Sequence, residues 1–185
     1  MRRRAIALRL GLLAQDLEES FVTTALEAVL IGRHPHLALW QWESGEDERI
    51  AREALEAVDL AAFAERRTDT LSGGEMRRVA IAALLAQDPA IFLLDEPTNH
   101  LDPRHQMAIL TLFRELTRSG RTVITTLHDP TIAARFADRA LLLYGDGRWR
   151  AGPVKELLTA AALSELYEAP MLEIEQDGRR IFVSA

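Results

Sequence analysis

The chain has 185 residues, 48% hydrophobic and 27% charged, which suits a globular domain with a real core. A net charge of -6 argues against a nucleic-acid partner held by general electrostatics, and the lack of cysteine excludes a disulfide framework or a Cys-ligated zinc. Apolar runs are too short to span a bilayer, and Arg9, Asp16, Glu18 and Glu19 spoil the resemblance of Arg2-Arg3-Arg4 to a signal n-region, so a soluble cytosolic protein is expected.

Ala5 to Leu13 reads as a strand ending near Gln15. Phe21 to Ile31 reads as a helix with Leu26, Val29 and Leu30 on one face, broken by Gly32-Arg33-His34-Pro35-His36. Two more helices, roughly 46–58 and 60–66, make the region from about 20 to 70 mostly helical. A helix from Gly73 to about Leu85 follows. Ile91-Phe92-Leu93-Leu94 is a continuous apolar run, as expected for a strand covered on both faces. The pattern continues with a helix over Pro103–Thr117 stopped near Gly120, a strand over 122–127, a helix over Pro130–Phe136 with Asp129 as cap, and a strand over 140–144. That alternation predicts an α/β fold with a parallel sheet and right-handed crossovers. The tail reads as short helices over 153–158 and 161–167, then two extended pieces around Asp177-Gly178, a good hairpin turn.

Ser72 and Glu75 have the spacing of a capping box. Gly73 and Gly74 then fall in the first turn of a helix, where backbone N–H groups lack intrahelical partners and the dipole adds roughly half a positive charge. Without side chains there, a phosphate can approach closely. Asp95 and Glu96 lie where a buried strand emerges, the usual place for ligand chemistry in a parallel sheet. Asp95 suits Mg²⁺, directly or through water, and Glu96 suits orienting or deprotonating an attacking water. His128 follows the next strand and could bond a γ-phosphate or that water. His34 and His36 flank a proline with no further ligand nearby, which disfavours a metal site, and His100 and His105 straddle a helix start and are expected to face solvent. Leu37, Leu39, Trp40 and Trp42 form either a partner-facing apolar patch or packing within the helical region.

In order and spacing, these motifs resemble the C-terminal three-quarters of an ABC transporter nucleotide-binding subunit. The matching residues are Leu71-Ser72-Gly73-Gly74-Glu75, Arg78-Val79-Ala80-Ile81-Ala82, Asp88-Pro89, Leu93 to Asp102, and Leu127-His128-Asp129. The resemblance implies a partial P-loop NTPase core: a Q-loop strand over 1–19, a helical subdomain over 20–70, the ATPase core over 71–152 and a C-terminal piece over 153–185. It makes Gln15 the Q-loop glutamine, a nucleotide and metal contact beside Asp95. Ser72, Gly73 and Gly74 become the signature facing a second subunit's ATP, Asp102 the D-loop aspartate, Glu96 and His128 the hydrolytic pair. It implies ATP and Mg²⁺ as ligands, a homodimer, and a membrane permease docked on the helical subdomain, with the protein peripheral on the cytoplasmic face. Gly32 to His36, Ala133 to Asp138 and Leu163 to Tyr167 are similar to importers of iron-siderophores, haem and cobalamin, and Trp40-Gln41-Trp42-Glu43 leans toward the cobalamin branch.

Three positions depart from the family: Ala14 where a proline often stands, Arg77 where glutamine is common, and Ala83 where arginine is common. No Gly-x-x-x-x-Gly-Lys-Ser/Thr loop occurs in the 185 residues. The resemblance places that loop, the adenine-stacking aromatic and the first strands before Met1, so the chain as written is expected to be inactive. The alternatives are a non-catalytic interaction module that keeps the dimer and permease surfaces, and a soluble ABC protein acting on ribosomes or DNA.

Overall fold

A computed structural model describes residues 3–15, 22–38 and 40–185. They fall into two compact units, 1–126 and 127–185.

The first unit begins with α1 (Arg3–Ala7) and β1 (Leu10–Leu13). The strand expected from Ala5 therefore starts later. Arg and Ala favour helix, and α1 is docked by Arg4, whose Nε and Nη2 donate to the carbonyls of Pro35 (2.8 Å) and His36 (3.2 Å). The helix expected from Phe21 is α2 (Ala25–Leu30), started by a Thr24/Glu27 capping box; Phe21 itself lies outside the described residues. Ile31–His36, expected as a break, is a 3₁₀ helix containing Pro35. Then come α3 (Gly45–Ala57), short 3₁₀ turns at Ala61–Phe63 and Thr68–Thr70, α4 (Gly73–Gln87), β2 (Ile91–Leu94), α5 (Pro103–Arg118) and β3 (Thr122–Thr125). The helix expected over 60–66 is only the first of those short turns.

Helix α4 is the centre of this unit. Val79, Ile81, Ala82, Leu84 and Ala86 are buried among Leu26, Val29, Ala51, Leu55 and Phe92. The 3₁₀ helix crosses α4 so closely that a Cβ on Gly32 would lie 2.0 Å from the Ala83 carbonyl oxygen. Arg33 Nη1 then donates to the Ala86 carbonyl (2.7 Å), and His36 Nε2 to that of Gln87 (2.8 Å). The Gly32 to His36 motif thus satisfies carbonyls at the end of α4, which lack intrahelical partners.

Strands β1, β2 and β3 form a parallel sheet in that order, with Leu12, Leu93 and Ile124 in register. One face carries Leu13, Phe92 and Leu94 into the core, where Phe92 meets Phe113 of α5 edge-on at 5.9 Å. On the other face Leu12 is 65% and Ile124 58% exposed, so the expected cover on both faces is not present among the described residues.

The second unit contains α6 (Pro130–Phe136), capped by Asp129 as expected, then β4 (Arg139–Leu143), β5 (Trp149–Pro153), α7 (Val154–Leu157), α8 (Ala160–Tyr167), β6 (Met171–Gln176) and β7 (Arg179–Ser184). The strand over 140–144 was expected in a parallel sheet. It pairs antiparallel with β5 across the Gly145-Asp146-Gly147 turn. Strands β6 and β7 form the expected hairpin, with Asp177 and Gly178 both in the left-handed region. Among the described residues, no helix is long and apolar enough to cross a membrane.

Candidate active site

The C-terminal ends of β1 and β2 bring together Gln15, Asp95, Glu96 and Asn99. Gln15 Nε2 donates to Glu96 Oε2 at 3.3 Å, and Asn99 Nδ2 donates to the same oxygen. Glu96 is buried, and its backbone is left-handed at φ 46°. A non-glycine residue holds that conformation at a cost of about 1–3 kcal/mol, and only when its surroundings enforce it. Two bonds do so. The Glu96 N–H donates to Thr126 Oγ1 (2.9 Å), and Arg77 Nη2 donates to the Glu96 carbonyl (2.9 Å). Thr126 Oγ1 in turn donates to Asp95 Oδ1 at 2.6 Å.

With its Nε2 turned to Glu96, the Gln15 carboxamide leaves Oε1 as an acceptor. One carboxamide oxygen and the Asp95 carboxylate are hard donors of the kind Mg²⁺ takes while keeping several waters. Among the described residues, no group of three or more acidic, His or Cys side chains is placed to hold a metal ion.

The capping box at α4 is formed: Ser72 Oγ accepts from the Glu75 N–H (3.3 Å), and Glu75 Oε2 from the Ser72 N–H (2.6 Å). That hydrogen bond from the Ser72 backbone is the main reason the Glu75 carboxyl is held below its usual value. The two glycines differ. Gly73 is exposed, and a Cβ there would meet nothing within 4 Å. A Cβ on Gly74 would lie 2.8 Å from the His100 carbonyl oxygen, so Gly74 is demanded by packing on the loop after β2. Gly73 alone leaves the helix start open to an anion.

Asp102 caps α5, accepting from the His105 N–H (3.0 Å) and paired with His105 Nδ1 (2.7 Å). These bonds, the backbone one first, lower its carboxyl below the ordinary value. His105 also lies 3.6 Å from Asp59, so it belongs to an acidic cluster and does not face solvent as expected; His100 is exposed. His128 belongs to the second unit, where its carbonyl accepts from the Tyr167 hydroxyl at 3.1 Å. Burial, with Asp129 second, raises the Tyr167 pKa. His34 lies 3.4 Å from Glu43. Trp40 and Trp42 are 93% and 86% exposed, so these two do not pack within the helical region.

The sequence alone does not mark Thr126 or Asn99 as site residues, and Arg77 stands out in it only as a departure from the family. The register that pairs Leu94 with Thr125 sets Thr126 beside Asp95, and Asn99 stands one turn after Glu96. Arg77 had no such local signal.

The family described as "ABC transporter" matches residues 2–99, more than half of the chain, and one described as "AAA domain, putative AbiEii toxin, Type IV TA system" matches 67–134. A hemin import ATP-binding protein of Streptomyces coelicolor is 42% identical over 90% of this chain and 59% of its own length. The ferric enterobactin transport ATP-binding protein of Escherichia coli is 39% identical over 89% and 61%. The chain therefore spans about three-fifths of the length of these curated relatives. Among solved structures, an inward-facing metal-chelate type ABC transporter superposes with a TM-score of 0.86, at 29% identity over 96% of this chain and 72% of that one. A post-hydrolysis dimer of the ATP-binding cassette MJ0796 bound to ADP and Pi gives 0.71, at 33% identity over 82% and 65%. With its signature helix, its paired carboxylates and the match over residues 2–99, this chain belongs to the ABC transporter family.

Proposed function

We propose that the chain is part of the ATP-hydrolysing subunit of an importer for a metal chelate: haem, an iron-siderophore or cobalamin. The names of the relatives support the first two, as does the metal-chelate type of the structural neighbour. The observation that carries the reading is the Glu96 carboxylate, held by Gln15 and Asn99 beside Asp95 at the end of a parallel sheet. In the proposed reaction Glu96 aligns the attacking water and accepts its proton. Gln15 and Asp95 would hold Mg²⁺, which would offset negative charge on the phosphates of ATP. His128 bonds the γ-phosphate or the water, and Asp102 lies at the subunit interface.

Two subunits act as a homodimer, in which Ser72, Gly73 and Gly74 of one face the nucleotide of the other; the dimeric state of a structural neighbour supports the dimer. The exposed Trp40 and Trp42 dock the helical region on the permease, leaving the protein peripheral on the cytoplasmic face. Reconstitution with the permease in vesicles tests the reading. ATP-dependent uptake of one of the three chelates should appear and should disappear with Glu96→Gln. Uptake that continues in that variant contradicts it. Co-purification with the permease should be lost in a Trp40→Ala/Trp42→Ala variant whose melting temperature is unchanged; retained binding would exclude this surface.

A further inference from the structure

Arg77 is 2% exposed, yet among the described residues none of its hydrogen bonds goes to a carboxylate. Its four terminal N–H groups all go to backbone carbonyls. Nη1 donates to Ala14 and Gln15, and Nη2 to Asp95 and Glu96. Its Nε has no hydrogen-bond partner among the described residues. Burying a guanidinium this way is expensive. Burial is the main influence on its pKa and lowers it, opposed by the charges of Asp95 and then Glu96.

The four carbonyls belong to two loops, one after β1 and one after β2. Those loops carry the two side chains that meet in the site, Gln15 and Glu96. One of the carbonyls is that of the strained Glu96 peptide. Arg77 also stands about one turn beyond Gly73 on α4. The neighbouring Arg78 is a built-in comparison. It is buried on the same helix and also bonds two backbone carbonyls, those of Val58 (2.9 Å) and Asp59 (3.0 Å), but these lie in the helical region.

We propose that Arg77 is a positioning residue: its guanidinium clamps the loops after β1 and β2 to the signature helix, so that the Gln15 carboxamide and the Glu96 carboxylate are held at hydrogen-bonding distance. The clamp rests on the reading of Glu96 as the group that aligns water. It also makes the signature helix and the hydrolytic carboxylate one mechanical piece, because α4 cannot shift along its axis without drawing on both loops.

Two measurements test the clamp. In the 185-residue chain, the side-chain amide resonances of Gln15 should move in Arg77→Met, return toward their native position in Arg77→Lys, and stay in place in Arg78→Met. In the intact ATP-hydrolysing subunit, Arg77→Met should lower kcat about 10- to 100-fold, as misplacement of reacting groups does, with KM within about twofold; Arg77→Lys should recover part of the loss. If Arg77→Met does not fold, Arg77→Lys against Arg78→Lys makes the same comparison. Unmoved Gln15 resonances, or equal movement in the Arg78 variants, would overturn the clamp. An intact native subunit that hydrolyses no ATP would overturn the functional reading instead, and the Gln15 resonances would still decide on Arg77.

Discussion

Gly73 and Gly74 occupy adjacent positions in one motif for different reasons. Gly74 is pressed against the His100 carbonyl, whereas Gly73 faces open space. Gly74→Ala should therefore destabilise the fold by about 1–3 kcal/mol through overpacking, while Gly73→Ala should leave stability within about 0.5 kcal/mol of the native chain. Chemical denaturation midpoints of the two variants check this; equal losses would show that the close contact is not real. The motif was legible in the sequence because Ser72 and Glu75 announce a helix start with two glycines in its first turn. The division of labour between the glycines was not, since it depends on a loop more than twenty residues away. The same holds for Glu96. The apolar run before it pointed to a strand end, but its left-handed backbone, and the Thr126 and Arg77 bonds that enforce it, exist only once the strands are in register.

Among elements, those with local signals came out close to their expected bounds. Asp129 and Pro130 start α6 and Asp177-Gly178 turns the last hairpin. The break expected from Gly32 and Pro35 is present, since α2 ends at Leu30, and tertiary bonds to the end of α4 hold the following segment in a 3₁₀ helix. The strand over 140–144 was assigned to a parallel sheet by rhythm alone, although Gly145-Asp146-Gly147 carried a hairpin signal. The link between the 3₁₀ helix and α3 has a measurable consequence. Asp47 accepts from Ser44 and pairs with Arg33 at 3.0 Å, and these bonds, the Ser44 hydroxyl first, hold its pKa at about 2. An unfolded Asp titrates near 3.9, roughly. The stabilisation is thus complete above that value and is lost as pH falls from about 4 to about 2. Asp47→Asn should flatten that part of the stability profile, measured as denaturation midpoint against pH. An unchanged acid limb would mean that the pair does not form.

At the scale of the whole molecule, Leu12 and Ile124 leave one face of the parallel sheet apolar and open. Parallel sheets are normally covered on both faces, and such patches drive association. The 185-residue chain should self-associate in sedimentation experiments, and less so as Leu12→Ser/Ile124→Ser; a monodisperse native monomer would contradict this. An open Gly73 helix start contributes about 1 kcal/mol toward an anion, far below the roughly 6 kcal/mol that binding in the tens of micromolar range requires. Calorimetric titration of this chain with MgATP should therefore show no tight binding, and a low-micromolar dissociation constant would mean that the phosphate site lies elsewhere. The central claim is that Glu96, at the end of β2, aligns the water that hydrolyses ATP. Its most direct test is steady-state turnover and nucleotide binding in the intact subunit carrying Glu96→Gln. Turnover should fall about 10²- to 10⁴-fold while MgATP still binds; near-native turnover in a folded variant would contradict the account.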